Sequence, residues 1–161
     1  MAVIAFVLIA ALGTQSASDV SGLLACAELG RNASLECLAR AERETDQASL
    51  RDAASALRTK IETDKGFLNL DPRPPLLLYR PPLDLSRFAS THNVVSPQVF
   101  ECDVTAEGKI GAINRRTKGT GSAELDEYLE SVVKRSIALP EYQQRKYVKS
   151  HLVTSISLDP R

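Results

Sequence analysis

Five of the eight prolines fall in one stretch, Asp71-Pro-Arg-Pro-Pro-Leu-Leu-Leu-Tyr-Arg-Pro-Pro-Leu-Asp84. Proline lacks an amide donor and fixes φ, so neither a helix interior nor a central strand can run through this stretch. The chain has to change architecture here. Residues 67–88 are therefore expected to form a semi-extended linker between a helical part, 19–66, and a separate C-terminal unit, 89–161. Within the linker, Leu76–Tyr79 can cover the edge of the following unit or be presented to a groove on a partner.

The first eighteen residues have the makings of an export leader. An apolar run, Ala2–Leu12, precedes the small and polar Gly13-Thr-Gln-Ser-Ala-Ser18. The run is too short to span a bilayer, and no Lys or Arg precedes it. Its alternatives are a buried N-terminal helix or an anchor extended by residues upstream. The expected location is the periplasm, with inner-membrane anchoring as the alternative and membrane association otherwise only through partners. Leu23-Leu24-Ala25-Cys26 superficially matches a lipoprotein box, but the polar stretch containing Asp19 separates it from the apolar run, so lipidation is not expected.

Residues 19–66 are patterned for helices. Val20, Leu23, Leu24 and Ala27 share a face, Gly30 offers a left-handed stop, and Asn32 can cap the next helix. That turn sets Cys26 and Cys37 face to face. In an oxidising compartment they are expected to bond, closing a loop of about ten residues and stabilising the fold by roughly 2–3 kcal/mol in the chain-entropy treatment. A metal site would need more ligands than two distant thiols. From Ala39 to Lys65 the pattern stays helical, with Leu50, Ala54, Leu57 and Ile61 on one stripe and Gly66 as the stop. The stripe could pack on the hairpin, on the C-terminal unit or on a second copy.

Beyond the prolines, Val99–Val104 alternates, placing Phe100, Cys102 and Val104 on one face, and Gly108 supplies a turn into Ile110–Ile113. Ser122 can cap a helix with acidic Glu124 and Asp126 in its first turn. Its buried face comprises Leu125, Tyr128, Leu129, Val132, Val133 and Ile137, and Pro140 prevents continuation beyond Leu139. A last strand runs from Val148 to Leu158. The expected class is α+β, with a small antiparallel sheet packed by one helix in β-β-α-β order.

Two resemblances follow from these residues. The arrangement Cys-x-x-Leu…Leu-x-Cys-Leu-Ala-Arg, from Cys26 to Arg40, is similar to an N-terminal motif of many proteobacterial periplasmic proteins, where Cys-x-x-Ile…Arg-Leu-x-Cys-Tyr-Asp forms a stapled hairpin. It implies a compartment and a structural role. Residues from about 94 to 159 resemble the C-terminal periplasmic domain of TonB-type energy transducers. Phe100-Glu-Cys-Asp-Val-Thr-Ala-Glu-Gly-Lys-Ile-Gly111 matches that family's strand, turn and strand. Leu125-Asp126 matches its helix start, Leu139-Pro140 its loop proline, and Val153–Leu158 its final strand. The resemblance implies an exposed strand edge that captures an extended segment of a partner by β-augmentation. Carried over here, the edge comprises Val148, Ser150, Leu152, Val153, Thr154 and Ile156. That family also has a membrane anchor and a long spacer. Here the anchor reads as cleaved, and a linker of about a dozen residues reaches only about 40 Å when fully extended.

Composition narrows the function classes. Twenty basic residues balance twenty acidic ones and Trp is absent, so no nucleic-acid partner is expected. His92 and His151 lie in no motif, and Cys102 reads as a core thiol. Glu101 and Asp103 read as a solvated strand face, and the glycines at 108, 111, 119 and 121 do not form a phosphate loop. No catalytic residue, cofactor or metal is expected. Arg115, Arg116 and Lys118 form a basic loop that Arg145, Lys146 and Lys149 could join, facing anionic lipid, peptidoglycan, an acidic partner or solvent. The expectation is a non-enzymatic periplasmic binding or envelope-assembly module that engages a protein partner through a sheet edge. That partner would belong to an outer- or inner-membrane complex, and a homodimer is a further option. The alternatives are a TonB-like energy transducer whose anchor begins upstream and a small periplasmic hydrolase.

Overall fold

The computed structural model describes residues 19–88 and 96–158; the leader expected at 1–18 and His92 lie outside them. Helix α1 (Val20–Ala27) starts where the Asp19 carboxylate accepts the Gly22 N–H at 2.9 Å. Cys26 on α1 is bonded to Cys37 on α2 (Arg31–Glu44), with the two Cα atoms 5.6 Å apart. The expected left-handed stop is absent. Gly30 is extended, at φ −62° and ψ 155°, and serves as the N-cap of α2, so Asn32 lies inside the helix. The connection is ordered by hydrogen bonds instead. The Glu28 and Leu29 amides close α1 on the Ala25 and Cys26 carbonyls, and the Ser34 hydroxyl donates to the Leu29 carbonyl at 2.8 Å.

The helix expected from Ala39 to Lys65 is two helices, α2 and α3 (Ala48–Thr63), broken at Thr45–Gln47. Thr45 is extended and its hydroxyl accepts the Gln47 N–H at 3.3 Å, a local side-chain bond that competes with the helical ladder. A continuous helix would run about 40 Å with its apolar stripe uncovered. The break instead folds α3 back along α2, and Leu50, Ala54, Leu57 and Ile61 are all buried. The stripe is thus filled by its own chain. Asp64, rather than Gly66, is the C-cap of α3, and Gly66 leads into a single 3₁₀ turn, Phe67–Asn69.

The proline-rich segment is not a spacer. Its prolines bound, rather than interrupt, strand β1 (Leu76–Tyr79), which pairs antiparallel with β4 (Ile137–Leu139) in the register Leu76↔Leu139, Leu77↔Ala138 and Tyr79↔Ile137. Ile137 was expected in the last turn of a helix. Helix α4 (Ala123–Lys134) ends earlier, where the Ser136 hydroxyl turns back to the Val132 carbonyl at 3.1 Å, and β-branched Ile137 joins the strand. Strand β4 then serves two cores at once. Ile137 and Leu139 pack with Leu23, Leu38, Leu57, Phe67 and Leu78, whereas Ala138 packs with Phe100, Val104, Leu129 and Ile156.

The C-terminal core lies between α4 and a three-stranded antiparallel sheet, β2 (Gln98–Val104), β3 (Ile110–Arg115) and β7 (Ser150–Ile156), in the order β3-β2-β7. The alternation along β2 is as expected: Phe100, Cys102 and Val104 are buried. Ser122 caps α4 by accepting the Leu125 N–H at 3.3 Å. Between α4 and β7 the chain adds β4 and a small hairpin, β5 (Glu141–Gln143) and β6 (Lys146–Val148), turned by Gln144 and Arg145 at positive φ. The fold is α+β, but three short strands separate the helix from the last strand. Accordingly, Val148 belongs to β6 and pairs with Glu141.

The β2–β3 turn presses on this assembly. At Gly108, φ is +79°, and a Cβ there would lie 2.7 Å from Val20 Cγ1 and 2.9 Å from the Ala138 carbonyl. Gly108→Ala is expected to cost about 2–3 kcal/mol, from left-handed strain plus overpacking, seen as a lower urea midpoint with unchanged slope.

Candidate functional site

The phase of hydrogen bonding in the sheet decides which groups β7 leaves free. The Arg116 N–H donates to the Val99 carbonyl at 2.8 Å, so odd-numbered β2 residues bond toward β3 and even-numbered ones toward β7. Phe100 lies opposite Thr154 and Cys102 opposite Leu152, which turns the even-numbered β7 main chain inward. The outward amides and carbonyls are therefore those of His151, Val153 and Ser155. Consistently, the Arg80 guanidinium donates to the Ser155 carbonyl.

This revises the expected edge. Val148 is in the β5–β6 hairpin, and Ser150, Leu152, Thr154 and Ile156 direct their main chain to β2; the side chains of Ser150, Thr154 and Ile156 are buried. Of the six expected positions, Val153 alone has outward main-chain groups, and its side chain is 65% exposed. His151, Ser155 and Arg80 were missed. The period-two pattern locates the strand's faces, but its hydrogen-bonding phase depends on its register with β2.

The outer face of the sheet carries paired charges. Asp103 is shared between Lys149 Nζ at 2.7 Å and His151 Nδ1 at 2.9 Å, and Glu101 pairs with Arg116. The hydrogen-bonded Lys149 ammonium, with a smaller contribution from His151, holds the Asp103 carboxyl below the usual aspartate value. The Cys102 thiol lies within the core and donates to the Leu152 carbonyl at 3.4 Å. Burial, reinforced by Asp103, pushes its pKa up, away from nucleophilic use.

The six expected basic residues do not converge. Arg115 is absorbed into the fold, pairing with Asp126 and Glu130 and lying 5.1 Å over the Phe100 ring. Arg116 and Lys149 are neutralised by Glu101 and Asp103, whereas Arg145 and Lys146 stand at the β5–β6 turn. Lys118 stays near the Arg115 end, its carbonyl accepting from Gln98 Nε2 at 3.2 Å.

One charged side chain occupies the interior. Arg73 is 1% exposed, with its guanidinium 4.7 Å from the Tyr142 ring, 5.4 Å from Phe67 and 5.7 Å from Tyr147. It donates to the Ala27 carbonyl at 3.4 Å and to the Tyr147 hydroxyl at 3.2 Å, while Nε has no partner among the described residues. The Tyr147 hydroxyl in turn donates to the Leu24 carbonyl at 2.9 Å. Burial pushes that hydroxyl well above the tyrosine range, with Arg73 opposing. The residue thus ties the C-terminal end of α1 to the β5–β6 hairpin, where the helix dipole favours a cation.

Against this geometry, the comparisons with known proteins are negative: no protein-family model, curated protein or solved structure matches the chain at a significant level. Among the described residues, no helix is long and apolar enough to cross a membrane and no cluster of potential metal ligands occurs.

Two measurements check these contacts. Tyr147→Phe leaves a buried donor on Arg73 and the Leu24 carbonyl without their partner, and is expected to lower stability by about 1–2 kcal/mol in urea titration. For Asp126, burial alone would raise the pKa, but the Thr120 amide and Arg115 outweigh it and hold the carboxyl below the usual aspartate value. Its contribution to stability is present above the unfolded value and lost as pH falls through the lowered one. Asp126→Asn is therefore expected to flatten the acid limb of the stability–pH curve below about pH 4.

Proposed function

We propose that this protein is an exported, non-enzymatic binding module, of TonB C-terminal-like build, that works in the periplasm and captures an extended segment of an envelope protein on the β7 edge. The observation that carries the reading is the outward main chain of His151 and Val153 beside a large apolar side chain left exposed on a terminal strand. Helix α4 backs the opposite face of this sheet, so an added strand would dock on a rigid support. The Cys26–Cys37 bond fits an oxidising compartment, which is what an export leader would provide. The engaged charges on the sheet face and the buried Cys102 thiol support binding over chemistry.

Val153→Pro tests the edge selectively. It removes the outward amide without taking a donor from the β2 ladder, so the fold is expected to persist, as circular dichroism would report. In pull-downs from envelope extract the variant is expected to lose a partner that the wild type retains. In that wild-type complex, hydrogen exchange should slow at His151 and Val153. If Val153→Pro retains every wild-type partner, edge capture is wrong.

A further inference from the structure

We propose that residues 80–88 form a strap that closes the Ser155 end of the β7 edge, and that a captured segment has to open it; the inference rests on the edge capture just described. The three-stranded sheet has two edges, β3 and β7, and each carries a cation on an outward carbonyl. On β3, Lys134 Nζ donates to the Gly111 carbonyl at 2.8 Å. On β7, the Arg80 guanidinium occupies the Ser155 carbonyl. The two closures differ in where the cation is mounted. Lys134 stands on the last turn of α4, which packs against the sheet, whereas Arg80 begins a segment that belongs to no helix or strand.

That segment is fastened at two places. Beyond Arg80, the Asp84 N–H donates to the Tyr128 hydroxyl on α4 at 2.8 Å. The Phe88 ring lies 5.1 Å from Tyr128, and the Arg87 guanidinium lies 4.8 Å from Phe88 and 4.9 Å from Tyr128. Leu83, Leu85 and Phe88 rest on the C-terminal core only partly buried. A segment with few buried apolar contacts and no ladder of main-chain bonds can open while the rest of the fold stays closed. Pro81 and Pro82 stiffen the chain between the two fastenings, so drawing the guanidinium off Ser155 also loads the Asp84–Tyr128 contact. A strand added along β7 exchanges bonds with His151, Val153 and Ser155 in turn. With Arg80 in place it reaches only the first two, and opening the strap releases the third. The coupling is reciprocal: loosening the strap tightens capture, and capture loosens the strap.

The test uses the full chain and, as probe, an unlabelled heptapeptide of alternating Thr and Val with blocked ends, titrated by calorimetry. Arg80→Ala is expected to bind it about tenfold more tightly than the wild type, the scale of one charge-assisted hydrogen bond that no longer has to be broken. Tyr128→Phe, which unfastens the strap without touching the edge, should tighten binding about threefold. When the wild type is saturated with the peptide, hydrogen exchange should speed up at the Asp84 amide and slow at His151 and Val153, opposite changes that a merely structural segment would not give. Adding Val153→Pro to Arg80→Ala should abolish binding. If Arg80→Ala and Tyr128→Phe bind as the wild type does, and Val153→Pro still abolishes binding, the strap is overturned and edge capture stands. If no variant binds the peptide at millimolar concentration, or binding survives Val153→Pro, the strap and edge capture fall together.

Discussion

A buried guanidinium with no carboxylate counter-ion among the described residues joins three regions of the chain that are distant in sequence. Arg73 comes from the proline-rich segment, its main-chain acceptor Ala27 from the disulfide-bonded hairpin, and Tyr142 and Tyr147 from the hairpin beyond β4. Burying such a charge costs several kcal/mol before compensation. Here π faces and the carbonyl end of α1 provide that compensation, which requires all three regions to be in place together. The Arg73 main chain adds to the constraint by exchanging both hydrogen bonds with Tyr142 at 2.7 and 2.9 Å.

The same segment places the edge residue that matters most. Arg80 follows β1 directly and precedes Pro81 and Pro82, whose fixed φ angles stiffen the chain just beyond it. Since β1 is held by β4, the position of the Arg80 side chain on Ser155 is set by the junction between the two cores. The prolines thus do different work from separation: they end a short strand and aim one cation.

Much of this was legible wherever a simple period applied. Phe100, Cys102 and Val104 followed from alternation, the α3 stripe from helical spacing, and the Cys26–Cys37 pair from a tight connection between two helices, although Gly30 makes that connection as an extended N-cap rather than a left-handed stop. Three features were not legible because each depends on tertiary contacts. Ile137 fits a helical stripe as well as a strand until Tyr79 is opposite it. Arg73, among prolines, has the local character of a surface residue, and its cage is assembled from Phe67 nearby and from two regions distant in sequence. The free groups of β7 depend on a hydrogen-bonding phase fixed by Arg116 and Val99, beyond the reach of residue type.

Strand β4 has side chains in both cores, and this sets the size of the folding unit. A protease that cut the chain at the prolines would not release two stable halves. The C-terminal fragment would retain Ile137 and Leu139 but lose the Leu23, Leu57 and Leu78 surfaces that cover them, and β4 would lose its only strand partner among the described residues. The helical hairpin and the sheet therefore share β4 between their cores, and damage to either is expected to be felt at the other.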